Sequence, residues 1–145
     1  MAKPAEVAGF DATEPRGLVD YALQRRSVLA ELPRSMHVRD SNCDADPYLK
    51  KAAKFHGEKT ERVCPVCEDG RLVELQYVFG DELGPYSGRL KSTAELRAMA
   101  IQHGEFRVYV VEVCQDCGWN FLVKSFQLGD GVPRRPLRKP KDWID

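Results

Sequence analysis

Between Arg71 and Phe79 the apolar side chains Val73, Leu75, Tyr77 and Phe79 alternate with mostly polar ones, a period of two that predicts a strand with one buried face. Two later runs, Phe106 to Val113 and Trp119 to Leu128, are rich in Val, Phe, Tyr and Trp and read as two more strands. Gly80, Gly84, Pro85 and Gly88 break the first strand. Ser92 followed by Glu95 forms a capping box ahead of Leu96, Met99 and Ala100, so a helix ending at Gly104 is inserted before the second strand. Three antiparallel strands with one inserted helix are expected for this part of the chain.

Upstream the pattern turns helical. Leu18, Ala22, Leu29 and Leu32 recur at helical spacing behind Pro15, which predicts a helix from about Glu14 to Leu32 that Pro33 stops. Arg25 and Arg26 interrupt its apolar stripe, so their guanidinium groups are solvated, tuck along the helix edge, or face a partner. After a polar loop over residues 33–45, Asp46 can cap a second helix whose first position is Pro47 and whose end is marked by Gly57. Within it Leu49, Ala53 and His56 share one face with Tyr48, Ala52 and Phe55 beside them, while Lys50, Lys51 and Lys54 group on the opposite side.

The two ends carry too few apolar side chains to offset the entropy of ordering. Residues 1–16 read as a disordered arm, 17–62 as a helical N-terminal segment, 63–128 as a zinc-ribbon domain with a helical insertion, and 129–145 as an extended basic tail. The tail holds three prolines with Arg134, Arg135, Arg138, Lys139 and Lys141, followed by Trp143 and Ile144 as its large apolar groups. The class is therefore α+β: a three-stranded antiparallel zinc ribbon, one inserted helix and two N-terminal helices.

Composition changes this picture little. The 145 residues are 43% apolar and 30% charged, which are globular values. No apolar run approaches the roughly 20 residues that cross a bilayer. Nothing hydrophobic follows Lys3 to make a secretory signal, so a cytoplasmic protein is expected. The net charge of zero disfavours a generic nucleic-acid coat, but residues 47–62 carry five basic and two acidic side chains, and 129–145 five and three. Two short segments are therefore locally basic.

Chemistry concentrates in the cysteines. In a reducing compartment five cysteines are not expected to form disulfides, and Cys64-Pro65-Val66-Cys67 with Cys114-Gln115-Asp116-Cys117 form two Cys-x-x-Cys turns suited to a metal. Each turn places two sulfurs on one side of an ion, and strand pairing brings both turns to the same end of the sheet. The expected cofactor is one structural Zn2+ with Cys64, Cys67, Cys114 and Cys117 as ligands; iron in a rubredoxin-like site is the alternative. Gly118 follows the second pair where a positive φ is often required. Cys43 is left over, as a small buried hydrophobe or a reactive thiol, and His56 suits a helix C-terminus better than a ligand role. The chain shows no Gly-x-Ser-x-Gly elbow, phosphate loop or paired carboxylate in a plausible cleft, so no enzyme is expected.

The stretches Val19 to Arg26, Cys43 to Leu49, Cys64 to Cys67, Tyr77 to Gly80, Val111 to Cys114 and Cys117 to Asn120 resemble an uncharacterised family of small actinobacterial proteins, a domain of unknown function. The likeness covers about residues 17–128. It implies a bacterial cytosolic protein with a zinc ribbon and names no activity.

The function expected from these features is a zinc-bearing accessory protein that binds the transcription machinery, with RNA polymerase as partner. Its phosphate-contacting segments would be Lys50, Lys51 and Lys54, Arg25 and Arg26, and the basic tail with Trp143 as anchor. Two other roles compete with it: a ribosome-associated factor that contacts rRNA, and a redox protein with iron in the four-cysteine site.

Overall fold

A computed structural model of the protein describes residues 11–32 and 43–133. The calls on residues 1–10, on 33–42 and on the tail side chains Arg134, Arg135, Arg138, Lys139, Lys141 and Trp143 lie outside the described residues.

The three segments read as strands form strands, two of them with one end shifted by a residue: β3 is Arg71–Phe79, β4 is Phe106–Cys114 and β5 is Asn120–Leu128. The expectation of three strands is nevertheless wrong. Two further strands, β1 at Arg16–Asp20 and β2 at Glu58–Val63, make a five-stranded antiparallel sheet in the order β1-β5-β4-β3-β2. Both additions are edge strands. An edge strand hydrogen-bonds on one side only and need not bury a face, so RGLVD and EKTERV carry no apolar alternation to announce them. β2 pairs antiparallel with β3 through Glu58 opposite Glu74 and Lys59 opposite Val73, then bulges before Val63 meets Arg71.

β1 also corrects the first helix. The expected helix over 14–32 begins only at Ala22, as α1 (Ala22–Glu31), because residues 16–20 extend as a strand, and the Tyr21 N–H donates to the Val123 carbonyl at 3.0 Å. Pairing with β5 overrides the helical spacing of Leu18 and Ala22. α2 (Pro47–His56) and α3 (Thr93–Gln102) start as their caps dictate. The Asp46 side chain accepts from the Leu49 N–H, and Ser92 and Glu95 complete a reciprocal capping box. A 3-10 helix, Asp81–Tyr86, kinks at Gly84 and brings the helices among the described residues to four. None is long and apolar enough to cross a membrane.

The chain divides into two compact units. One unit comprises residues 1–18, 77–108 and 126–145, and its buried side chains are mainly apolar: Val78, Leu83, Leu96, Ala100, Phe106, Val108 and Leu128. The other comprises residues 19–76 and 109–125, and buries Leu72, Leu75, Val110, Val113 and Trp119 together with Cys64, Cys114 and the carboxylate of Glu112.

Candidate metal centre

Each Cys-x-x-Cys turn is built by the same backbone bonds. In the first, the Glu68 N–H donates to the Cys64 carbonyl at 3.1 Å and the Cys64 N–H to Gly70 at 2.7 Å. In the second, the Gly118 N–H donates to Cys114 at 2.9 Å and the Cys114 N–H to Trp119 at 2.8 Å. The residue after the second cysteine is left-handed in both, with φ of +59° at Glu68 and +87° at Gly118. Glycine takes that conformation without strain, whereas Glu68 incurs roughly 1 kcal/mol or more.

These turns bring Cys64, Cys67, Cys114 and Cys117 together, with all four sulfurs within 4.8 Å of one another. The Cys64 and Cys117 sulfurs are 3.7 Å apart, as are those of Cys67 and Cys114. A disulfide needs about 2.05 Å, so these are four free thiols. A tetrahedral ion with metal–sulfur bonds of about 2.3 Å requires sulfurs about 3.8 Å apart, close to the 3.7 Å of these two pairs. Backbone donors also converge on the sulfurs: Val66 N–H on Cys64 at 3.4 Å, Gly70 N–H on Cys67 at 3.5 Å and Trp119 N–H on Cys117 at 3.4 Å. N–H groups aimed at sulfur favour the thiolate form that ligates metal. The four cysteines could therefore hold one metal ion.

Burial opposes that charge. It pushes the Cys64 thiol up to about 11 and Cys117 up to about 12, and raises Cys114 as well, whereas the Gly70 N–H brings Cys67 down to about 7. Four crowded sulfurs thus become thiolates together only around a cation, which couples metal binding to release of protons. The packing leaves little slack: a Cβ on Gly70 would sit 2.8 Å from the Cys114 sulfur. Leu72 and Trp119 are buried against Cys64 and Cys114, with Val28, Leu29, Val66 and Phe121 packed around them.

Cys43 stands beside the cluster, its sulfur 3.8 Å from that of Cys117. Its segment is pinned by the Ala45 N–H donating to Gly118 at 3.0 Å and by Asn120 donating to Asp44, also at 3.0 Å. The Cys43 carbonyl lies 2.9 Å from where a Cβ at position 118 would stand, a second reason for glycine there.

The residue that sequence reading missed is Glu112. Its fully buried carboxylate accepts from Trp119 Nε1 at 2.7 Å, Arg25 Nε at 2.8 Å and Arg62 Nη1 at 3.0 Å. Arg62 also reaches Glu74 at 2.7 Å. A signal was present, since the inward register of Phe106, Val108 and Val110 continues to position 112. Of the candidate contact residues, Arg25 is thus engaged with Glu112, and Arg26 is exposed. Lys50, Lys51 and Lys54 are exposed on α2, and so is His56.

Comparison with other proteins places the chain in a family and stops there. Residues 12–141 match the family of unknown function DUF5318, and the chain belongs to it. Uncharacterized protein Rv0049 of Mycobacterium tuberculosis is 47% identical over 120 residues, 83% of this chain and 88% of its own. Uncharacterized protein Mb0050 of Mycobacterium bovis matches to the same extent, 47% over 120 residues. No solved structure matches the chain.

Proposed function

We propose that the protein is a non-enzymatic accessory factor, stabilised by one structural Zn2+, that binds the transcription machinery with RNA polymerase as partner and holds basic segments near nucleic acid. The observation that carries this reading is the set of four cysteine sulfurs within 4.8 Å of one another, two pairs of them 3.7 Å apart. Four thiolates fill every position around zinc and leave none for water or substrate, so the ion braces a fold rather than acting as a Lewis acid. The same unit presents the lysines of α2 outward, as a surface that meets phosphate would. Polymerase is favoured by analogy with the small tetrathiolate domains that recur in transcription assemblies.

Two measurements test the proposal. Elemental analysis of purified protein should find one zinc per chain; iron with a reversible redox wave would replace this reading with an electron-transfer one. Affinity purification of the tagged chain at low and high salt should retain polymerase subunits at both. Recovery of ribosomal proteins in their place would move the partner to the ribosome, and recovery of neither would end both assignments.

A further inference from the structure

On α2 the apolar side chains do not all turn inward. Ala53 is buried and Leu49 and Ala52 are half-buried, but Tyr48 is 87% exposed and Phe55 63% exposed. At 100° per residue, Tyr48, Lys51 and Phe55 fall on one outward stripe with Lys54 and Lys50 along its flank. The helix, PYLKKAAKFH, contains no carboxylate to neutralise them. Lys50, Lys51 and Lys54 make no ion pair among the described residues. The Lys54 ammonium stands 5.5 Å from the centre of the Phe55 ring. Two flat rings two helical turns apart, roughly 10 Å along the axis, are thus interleaved with cations.

From this arrangement we infer that the outward face of α2 is a stacking platform for single-stranded nucleic acid, with Tyr48 and Phe55 against unpaired bases and Lys50, Lys51 and Lys54 on the phosphates between them. The inference rests on the proposed nucleic-acid contact and names its residues and its ligand. Charge complementarity selects the occupant. A second copy of α2 would set lysines against lysines, and residues 134–145, with five basic side chains, repel the same face. A polyanion with exposed π-faces satisfies both the rings and the ammonium groups. A duplex would satisfy only the latter, because its bases are already stacked.

Fluorescence anisotropy of the full zinc-loaded chain with a labelled 12-mer of uridines, its DNA counterpart and a 12-bp duplex tests this. Both single strands should bind more tightly than the duplex, and the ratio of the two separates RNA from DNA as the source. Tyr48→Ser and Phe55→Ser should each weaken single-strand binding by about fivefold or more, while Tyr48→Phe restores it. Lys51→Ala should lower the slope of log affinity against log salt by about 0.7. Because these side chains are exposed, the variants should keep the wild-type melting curve. Wild-type single-strand affinity unchanged in both serine variants would overturn the platform while leaving a basic contact elsewhere intact. Equal affinity for duplex and single strand, tighter binding to anionic phosphatidylserine vesicles, or no binding to any probe would also overturn it. Polymerase recovery in the affinity purification is read separately, so failure of the partner and failure of the platform remain distinguishable.

Discussion

The two units of the chain cohere by different chemistry. In the unit formed by residues 1–18, 77–108 and 126–145, Leu83, Phe106, Val108 and Ala100 are fully or almost fully buried, and α3 starts at a reciprocal capping box. Its cohesion is distributed over many apolar contacts and one well-formed helix start. In the unit formed by residues 19–76 and 109–125, the interior contains thiols and a carboxylate held by two arginines and an indole. Its α1 buries no residue at all. A distributed apolar interior loses stability in small steps, whereas an interior built on a four-cysteine cluster that could hold an ion and on one buried charge should fail when either is disrupted.

The largest test of that contrast is the metal. Chelation, or Cys114→Ser, should forfeit on the order of 10 kcal/mol of apparent stabilisation and abolish hydrogen-exchange protection at Cys114 and Trp119. Protection at Leu83 and Met99 should fall far less; equal loss at both sets would erase the distinction.

The next tests remove one group from each unit. Glu112→Ala should cost about 3–5 kcal/mol in urea unfolding because it strands the Arg25 charge and the Trp119 N–H, whereas Arg62 keeps Glu74. Phe106→Ala should cost a similar 3–5 kcal/mol through a cavity. Their signatures differ: a second substitution, Arg25→Met, should recover part of the loss at Glu112→Ala, and it has no bearing on the cavity at position 106. If it recovers nothing, the unpaired-charge account of Glu112 fails.

A smaller effect is expected at the start of α3. Ser92→Ala should cost about 1 kcal/mol. The Ser92 N–H, donated to the Glu95 carboxylate, holds that acid below its ordinary value. Since the folded value is the lower one, the bond adds stability above the unfolded carboxylate pKa, and this is lost as pH falls through the folded value. The cost of Glu95→Ala, which removes the acceptor of that N–H, should therefore shrink on acidification in thermal melts; a cost independent of pH would remove Glu95 from the box.

The smallest effect separates the fifth cysteine from the other four. Cys43→Ser should change stability by no more than about 0.5 kcal/mol and leave the metal content at its wild-type value. Loss of metal in this variant, with retention in Cys117→Ser, would reassign the ligand set.

Local chemistry made much of this molecule legible in advance. The caps at Asp46 and Ser92, the glycine at 118 and the three alternating strands each follow from residues within a few positions of one another. The centre was legible for the same reason, because a Cys-x-x-Cys turn is local and only the meeting of two turns is not. What escaped depended on neighbours far along the chain. Glu58 and Lys59 are extended because Glu74 and Val73 lie opposite them, and Arg16–Asp20 because β5 offers a free edge.

The sequence by itself determined which cysteines are paired in turns, where the two capped helices begin and which strands have a buried face, since each is written in spacing and side-chain chemistry over a few residues. Only the tertiary structure decided that the sheet has five strands, that Glu112 shares its buried carboxylate with Arg25, Arg62 and Trp119, and that all four sulfurs lie within 4.8 Å. The reason is physical: edge pairing, the partners of a buried charge and convergence of ligands are energies of contact between residues distant in sequence, which spacing over a few residues does not contain.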